Sequence, residues 1–146
     1  QARKLLAEIR DLGLEDALVN VGPLPQEMLA AYYRNVHGLL LPTLLESFSG
    51  TYVEAMHFGT PILTSDLDFA REVCGEAAVY FSPWDPDAMG TAIERLRDAP
   101  GLAAELTKKG RGRLGRHMPT WSESVGSLLV LLRELAACAS AAEAGR

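Results

Sequence analysis

Cysteine is scarce: Cys74 and Cys138 are the only two in 146 residues. They show neither metal-ligand spacing nor the density of a disulfide framework, so both read as free, partly buried thiols, and zinc and redox chemistry are set aside. Long apolar runs are missing as well. No stretch approaches the roughly 18 residues that a bilayer crossing requires. The opening Gln1-Ala2-Arg3-Lys4 leads into an amphipathic stretch rather than a leader peptide, which points to a cytoplasmic location. Positive charge is in deficit, with 14 Lys and Arg against 19 Asp and Glu and a formal net charge of −5. A polyphosphate backbone needs a net basic footprint, so nucleic acid is excluded as a partner. A single anionic ligand stays open, because local amides and a helix N-terminus can hold one whatever the total charge. No Gly-x-Gly-x-x-Gly follows a strand, which removes a dinucleotide-dependent dehydrogenase.

What remains is a chain that is 48% hydrophobic and 23% charged, enough for one domain with a sizeable core. Leu5, Leu6 and Ile9 recur at helical spacing, and Gly13 follows as a C-cap, so residues 2–12 read as a helix. Ala17 to Val21, closed by Gly22-Pro23, reads as a buried parallel strand. Pro25 to Arg34 reads as a helix with Met28, Leu29 and Tyr32 on one face, and Gly38 to Leu41 as a second strand. A loop from Thr43 to Gly50 then leads to a helix over Thr51 to Phe58, ended by Gly59.

Further strands are expected at Pro61 to Thr64 and Ala77 to Phe81, with a helical turn over Phe69 to Val73 between them. Asp87 to Arg97, Leu102 to Arg116 and Ser122 to Ala137 carry helical periodicity, and 139–146 reads as a flexible tail beyond a domain spanning 1–138. Strands alternating with helices imply an α/β fold with a Rossmann-like parallel sheet and helices on both faces.

In an open parallel sheet, ligands bind beyond the carboxyl ends of the strands, where loops enter helices. The loop after Leu41 is that place. Its small residues, Ser47, Ser49, Gly50 and Thr51, would let backbone amides approach an anion such as a diphosphate. Lysine and arginine are scarce beside it, so amides and the positive helix terminus would carry much of the neutralisation.

Glu46, Phe48, Glu54, Ala55, Met56, Gly59 and Pro61 form a pattern that resembles the C-terminal domains of GT-B-fold retaining glycosyltransferases of family four. The likeness continues through Arg71-Glu72-Val73, Ala77 to Phe81, Pro83 and Asp85-Pro86. Ser47 and Ser49 depart from it, standing where many relatives carry Gly, so the phosphate contacts differ in detail.

The resemblance implies one half of a GT-B fold that binds a nucleoside diphosphate sugar of the UDP or GDP type, with no metal and no cofactor. It implies that Glu46 faces the donor sugar hydroxyls as the catalytic-site carboxylate. Glu54 would hydrogen-bond the ribose hydroxyls, and amides of Ser47, Phe48, Ser49, Gly50 and Thr51 would cradle the diphosphate between them. An ionised carboxylate accepts from two vicinal hydroxyls at once, which fits both roles.

In such enzymes an N-terminal domain supplies the acceptor wall, and an Arg and a Lys upstream neutralise the leaving group. Both are expected to lie outside this chain, leaving it inactive alone. Relatives also work at the inner face of the membrane, which would give Lys108, Lys109, Arg111, Arg113, Arg116 and His117 a use in peripheral membrane contact. The plain reading of that stretch is a solvated helix face.

Plainer readings exist for the other residues as well. Thr51-x-x-Glu54 satisfies a capping box, so Glu54 could close its own helix in a domain of this fold that binds or scaffolds without chemistry. Phe48 could be a core anchor. Asp66 and Asp68 could border the pocket or form a turn. His57 reads as a surface residue without a role. The last helix is expected to leave apolar residues uncovered.

Overall fold

A computed structural model describes residues 2–144, with the side chains of all but Ala2, His117 and 139–144. The chain divides into two compact units, 1–31 and 32–146. In the first, α1 (Ala2–Asp11) carries an i,i+4 ion pair, Lys4 to Glu8, at 3.9 Å. After it comes irregular chain, and then α2 (Gln26–Asn35), whose last turn belongs to the second unit.

The strand expected at Ala17 to Val21 does not form. Its amides are taken locally: Ala17 N and Leu18 N both donate to the Leu14 carbonyl, at 3.0 and 2.9 Å. The Asn20 side chain accepts from Gly22 N at 3.0 Å. Such turns compete with strand pairing for the same donors. Val19 is accordingly 72% exposed.

The second unit holds β1 (Leu39–Leu41), α3 (Gly50–Phe58), β2 (Ile62–Ser65), α4 (Asp68–Cys74), β3 (Ala78–Phe81), α5 (Pro86–Asp98), α6 (Leu102–His117) and α7 (Trp121–Ala144). The three strands form a parallel sheet in the order β1-β2-β3. Their register sets Leu39 against Ile62, and Ile62 against Ala78. Every residue of the central strand β2 is buried, as expected where helices cover both faces.

Alternation along the strands then divides the core. Ile62 and Ala78 join Tyr52, Ala55, Met56, Ala70, Val73 and Cys74 on one face, while Leu63, Val79 and Phe81 join Ala92 and Leu106 on the other.

Local chemistry sets the helix ends. Asp85 caps α5 by accepting from Asp87 N and Ala88 N at 3.0 and 3.2 Å, with Pro86 in the first turn. Gly59 ends α3 at φ 79°, a left-handed position that favours glycine. Gly110, Gly112 and Gly115 fall inside α6 rather than after a strand. Gly110 serves packing there, since a Cβ on it would lie 3.0 Å from Met56 Cγ of α3.

A true capping box stands at the start of α7. Thr120 N and Oγ1 donate to Glu123 Oε2 at 2.7 and 2.8 Å, and Glu123 N donates back to Thr120 Oγ1 at 3.3 Å. The helix continues past Ala137 to Ala144, and Gly145 and Arg146 lie outside the described residues. As expected, Leu128, Leu129, Leu132 and Leu135 are left uncovered, from 48% to 57% exposed. No helix among the described residues is long and apolar enough to cross a membrane.

Candidate functional site

The loop after β1 and the first turn of α3 lie at the carboxyl end of the sheet's strands, the ligand end of such folds. What fixes α3 there is a buried hydroxyl relay. Thr64 Oγ1 donates to the Leu41 carbonyl at 3.0 Å, which commits its only proton. The 2.6 Å contact between Tyr52 Oη and Thr64 Oγ1 is therefore donated by the tyrosine. One relay thus ties the third residue of α3 to the middle strand and to the last residue of β1. Burial pushes the Tyr52 hydroxyl above its ordinary range; the Thr64 contact opposes this, and the nearby Glu46 charge adds to it.

Glu46 is half-buried in the loop, and its charge is felt at the Tyr52 hydroxyl. Ser47 is exposed, and Ser49 is buried at the N-cap of α3 with extended backbone but no side-chain capping bond. Gly50, the first helical residue, faces open space, with nothing within 4 Å of where a Cβ would stand. Thr51 is half-buried. The first amides of a helix have no partner within it, so this turn offers donors to an outside acceptor. No Lys or Arg occurs between Asn35 and Ala70, and the positive end of α3 offers a favourable field for an anion.

Two plainer readings are overturned. Phe48 is 57% exposed and belongs to neither core cluster, so it is no core anchor. The capping box of Thr51 and Glu54 does not form. Glu54 instead accepts from the Tyr33 hydroxyl, brought from α2, at 3.0 Å. Burial first, then the Glu54 hydrogen bond and charge, push Tyr33 up to about 12. Sequence reasoning missed this tyrosine: its partner is 21 residues away, and only tertiary structure brings them together. Glu54 also borders an apolar groove of about 470 Å³ with Val53, His57, Phe58, Leu114, Met118, Pro119 and Thr120.

The remaining candidates have structural employment. Asp66 takes Arg71 in a two-pronged ion pair at 2.5 and 2.8 Å, which holds its carboxyl below the usual range. The Arg71 guanidinium lies 4.4 Å from the Tyr80 ring centroid, and Asp68 accepts from Phe69 N at 2.7 Å. Both aspartates thus serve local structure. His57 is exposed, as expected.

In the basic stretch, Arg113 donates to the Val73 and Glu72 carbonyls at the C-terminus of α4, neutralising a negative helix end. Lys109 pairs with Glu105 at 2.7 Å and Glu76 at 3.5 Å. The stretch is therefore partly consumed by the fold, and the His117 side chain lies outside the described residues. A further groove, about 540 Å³ along Gly38, Leu40, Leu63, Ile93 and Leu96, starts at the amino end of β1 beside His37. That is the wrong end of the strand for the ligand of a parallel sheet.

A family model described as glycosyl transferases group 1 matches residues 1–99. The chain is 31% identical over 137 residues to a D-inositol 3-phosphate glycosyltransferase of Acidothermus cellulolyticus, covering 92% of this chain and 30% of that protein. It is 37% identical over 113 residues to an MMP alpha-(1->4)-mannosyltransferase of Mycolicibacterium hassiacum, covering 75% of this chain and 27% of that protein. Among solved structures, the sucrose-phosphate synthase of Thermosynechococcus elongatus superposes with a TM-score of 0.82 at 29% identity, over 93% of this chain and 34% of the other. The chain spans about 30% of the length of the curated relatives it matches.

Proposed function

The chain belongs to the glycosyl transferases group 1, and from that membership we propose that it is the donor-binding half of a retaining, GT-B-fold glycosyltransferase. The reaction moves a sugar from a nucleoside diphosphate sugar of the UDP or GDP type to an acceptor hydroxyl. The observation that carries the reading is the placement of two carboxylates, Glu46 and Glu54, before and within α3, around a helix start whose capping side chain makes no bond.

A diphosphate set on the Ser49 to Thr51 amides meets the helix's positive end, roughly half an elementary charge. As the glycosidic bond lengthens toward an oxocarbenium-like transition state, negative charge grows on the leaving diphosphate. Fixed donors at that point stabilise it without reorganisation. Glu46, acceptor-only when ionised, takes the sugar hydroxyls and orients the reacting carbon. Glu54 takes the ribose diol. No metal or cofactor has a step in this scheme. Transfer requires an acceptor wall that this chain does not form by itself, so the chain alone binds the donor and does not turn it over.

Titration of the chain with UDP and GDP, followed through backbone amide NMR shifts, tests the reading. The expected response is confined to residues 46–54 and saturates. Saturating shifts at the groove between α5 and β1, with none at Gly50 and Thr51, would place the ligand elsewhere.

A further inference from the structure

Tyr33 is held by three contacts that do not depend on one another. Its hydroxyl donates to Glu54 Oε2 at 3.0 Å. Its ring stacks on Phe58, with centroids 5.6 Å apart and planes 15° from parallel. Its backbone carbonyl accepts from Thr60 Oγ1 at 2.6 Å. Phe58 is itself flanked by the Arg34 guanidinium, 5.3 Å from the ring centroid. The end of α2 is therefore docked on the end of α3 by ring and backbone, and the hydroxyl is not needed for that docking. Glu54 is exposed, and a free glutamate on a helix surface samples several rotamers whose loss on binding opposes affinity.

Resting on the ribose reading of Glu54, we propose that Tyr33 is the positioning residue of that carboxylate, securing Oε2 so that Oε1 is presented to the ligand diol in one orientation. The consequence is selectivity for ribose over a sugar lacking its vicinal hydroxyls. Tyr33 keeps its proton through the neutral range, since burial and the Glu54 contact push it up to about 12, so its hydroxyl is a constant donor.

The test compares wild type with Tyr33→Phe, which keeps the ring on Phe58 and the carbonyl under Thr60, and with Glu54→Gln. UDP and GDP and their 2′,3′-dideoxy counterparts are the probes. Tyr33→Phe is expected to weaken the ribonucleotide about tenfold, the scale of the glutamate rotamer freedom that binding must then remove, to leave the dideoxy form unchanged, and to leave the melting temperature near wild type. A ligand-free arm follows the Tyr33 ring by NMR: its titration is expected to fall part of the way from about 12 in Glu54→Gln, since burial, the larger cause, remains.

If Glu54→Gln abolishes the ribose preference while Tyr33→Phe retains it, the positioning role is overturned and the ribose reading stands. A Tyr33 titration indifferent to Glu54→Gln overturns the role as well. If Glu54→Gln leaves the preference intact, or wild type binds no nucleotide, the ribose reading fails and the proposal with it.

Discussion

Thr64→Val removes the centre of the relay that holds α3 against the sheet, and its cost follows from counting partners. Thr64 is fully buried, as is Tyr52. Valine keeps the shape but leaves the Tyr52 hydroxyl without an acceptor and takes one donor from the Leu41 carbonyl. A lost hydrogen bond costs about 1 kcal/mol net, and an orphaned buried hydroxyl adds about 1–3 kcal/mol. The expected cost of Thr64→Val is about 2–4 kcal/mol.

Tyr52→Phe deletes only one end of the relay, since Thr64 still donates to Leu41, and should cost about 1 kcal/mol. The double variant should be more stable than Thr64→Val alone, because the orphan is gone. Urea denaturation of the three variants gives this order through midpoints at constant slope. If Thr64→Val proves no more costly than Tyr52→Phe, the relay does not hold the helix and the partner count is wrong. Its loss should also weaken nucleotide binding, because the amides at Gly50 and Thr51 ride on the same helix turn.

Glu46→Gln should weaken binding of a nucleoside diphosphate sugar by about 1–3 kcal/mol while leaving the free diphosphate nearly unaffected, as calorimetry with both ligands would read. Gly110→Ala should cost about 1 kcal/mol net, because the roughly 1–3 kcal/mol of overpacking where the new methyl meets Met56 Cγ at 3.0 Å exceeds the roughly 1 kcal/mol of helix propensity gained. A fall of less than about 0.5 kcal/mol in urea would mean that α6 can shift freely. The Asp66 carboxyl is held below its ordinary 3.8 by Arg71. A depressed folded value gives stability that is present above 3.8 and lost as pH falls through the lower folded value. Asp66→Asn should flatten this small, salt-sensitive acid limb in melting curves, since the pair is exposed.

Much of the fold was legible in periodicity and punctuation. Gly59 marked the end of α3, and the short apolar runs Pro61 to Thr64 and Ala77 to Phe81 marked β2 and β3 to within a residue at each end. The segment Ala17 to Val21 has the apolar, β-branched composition of a strand, but composition does not supply the neighbour its amides need, and the Leu14 carbonyl takes those of Ala17 and Leu18. Of the capping-box patterns at Thr51-x-x-Glu54 and Thr120-x-x-Glu123, only the latter forms. At the first, a tyrosine from another helix takes the carboxylate, which spacing along one helix cannot reveal. Glu46, Glu54 and the serine- and glycine-rich turn can be picked out as a candidate site because they lie close together along the chain. Tyr52 and Thr64, which tie α3 to the sheet, and Tyr33, which meets Glu54, act through tertiary contacts and were not.

A cycle of Glu54→Gln against removal of the ribose hydroxyls asks whether Glu54 holds the ribose diol of a nucleoside diphosphate. Affinities of wild type and variant for the native diphosphate and its 2′,3′-dideoxy analogue should show a loss of about 1–3 kcal/mol for the native ligand on mutation, with almost none for the analogue. Equal losses for both ligands would contradict the ribose role and leave Glu54 as a partner of Tyr33 alone.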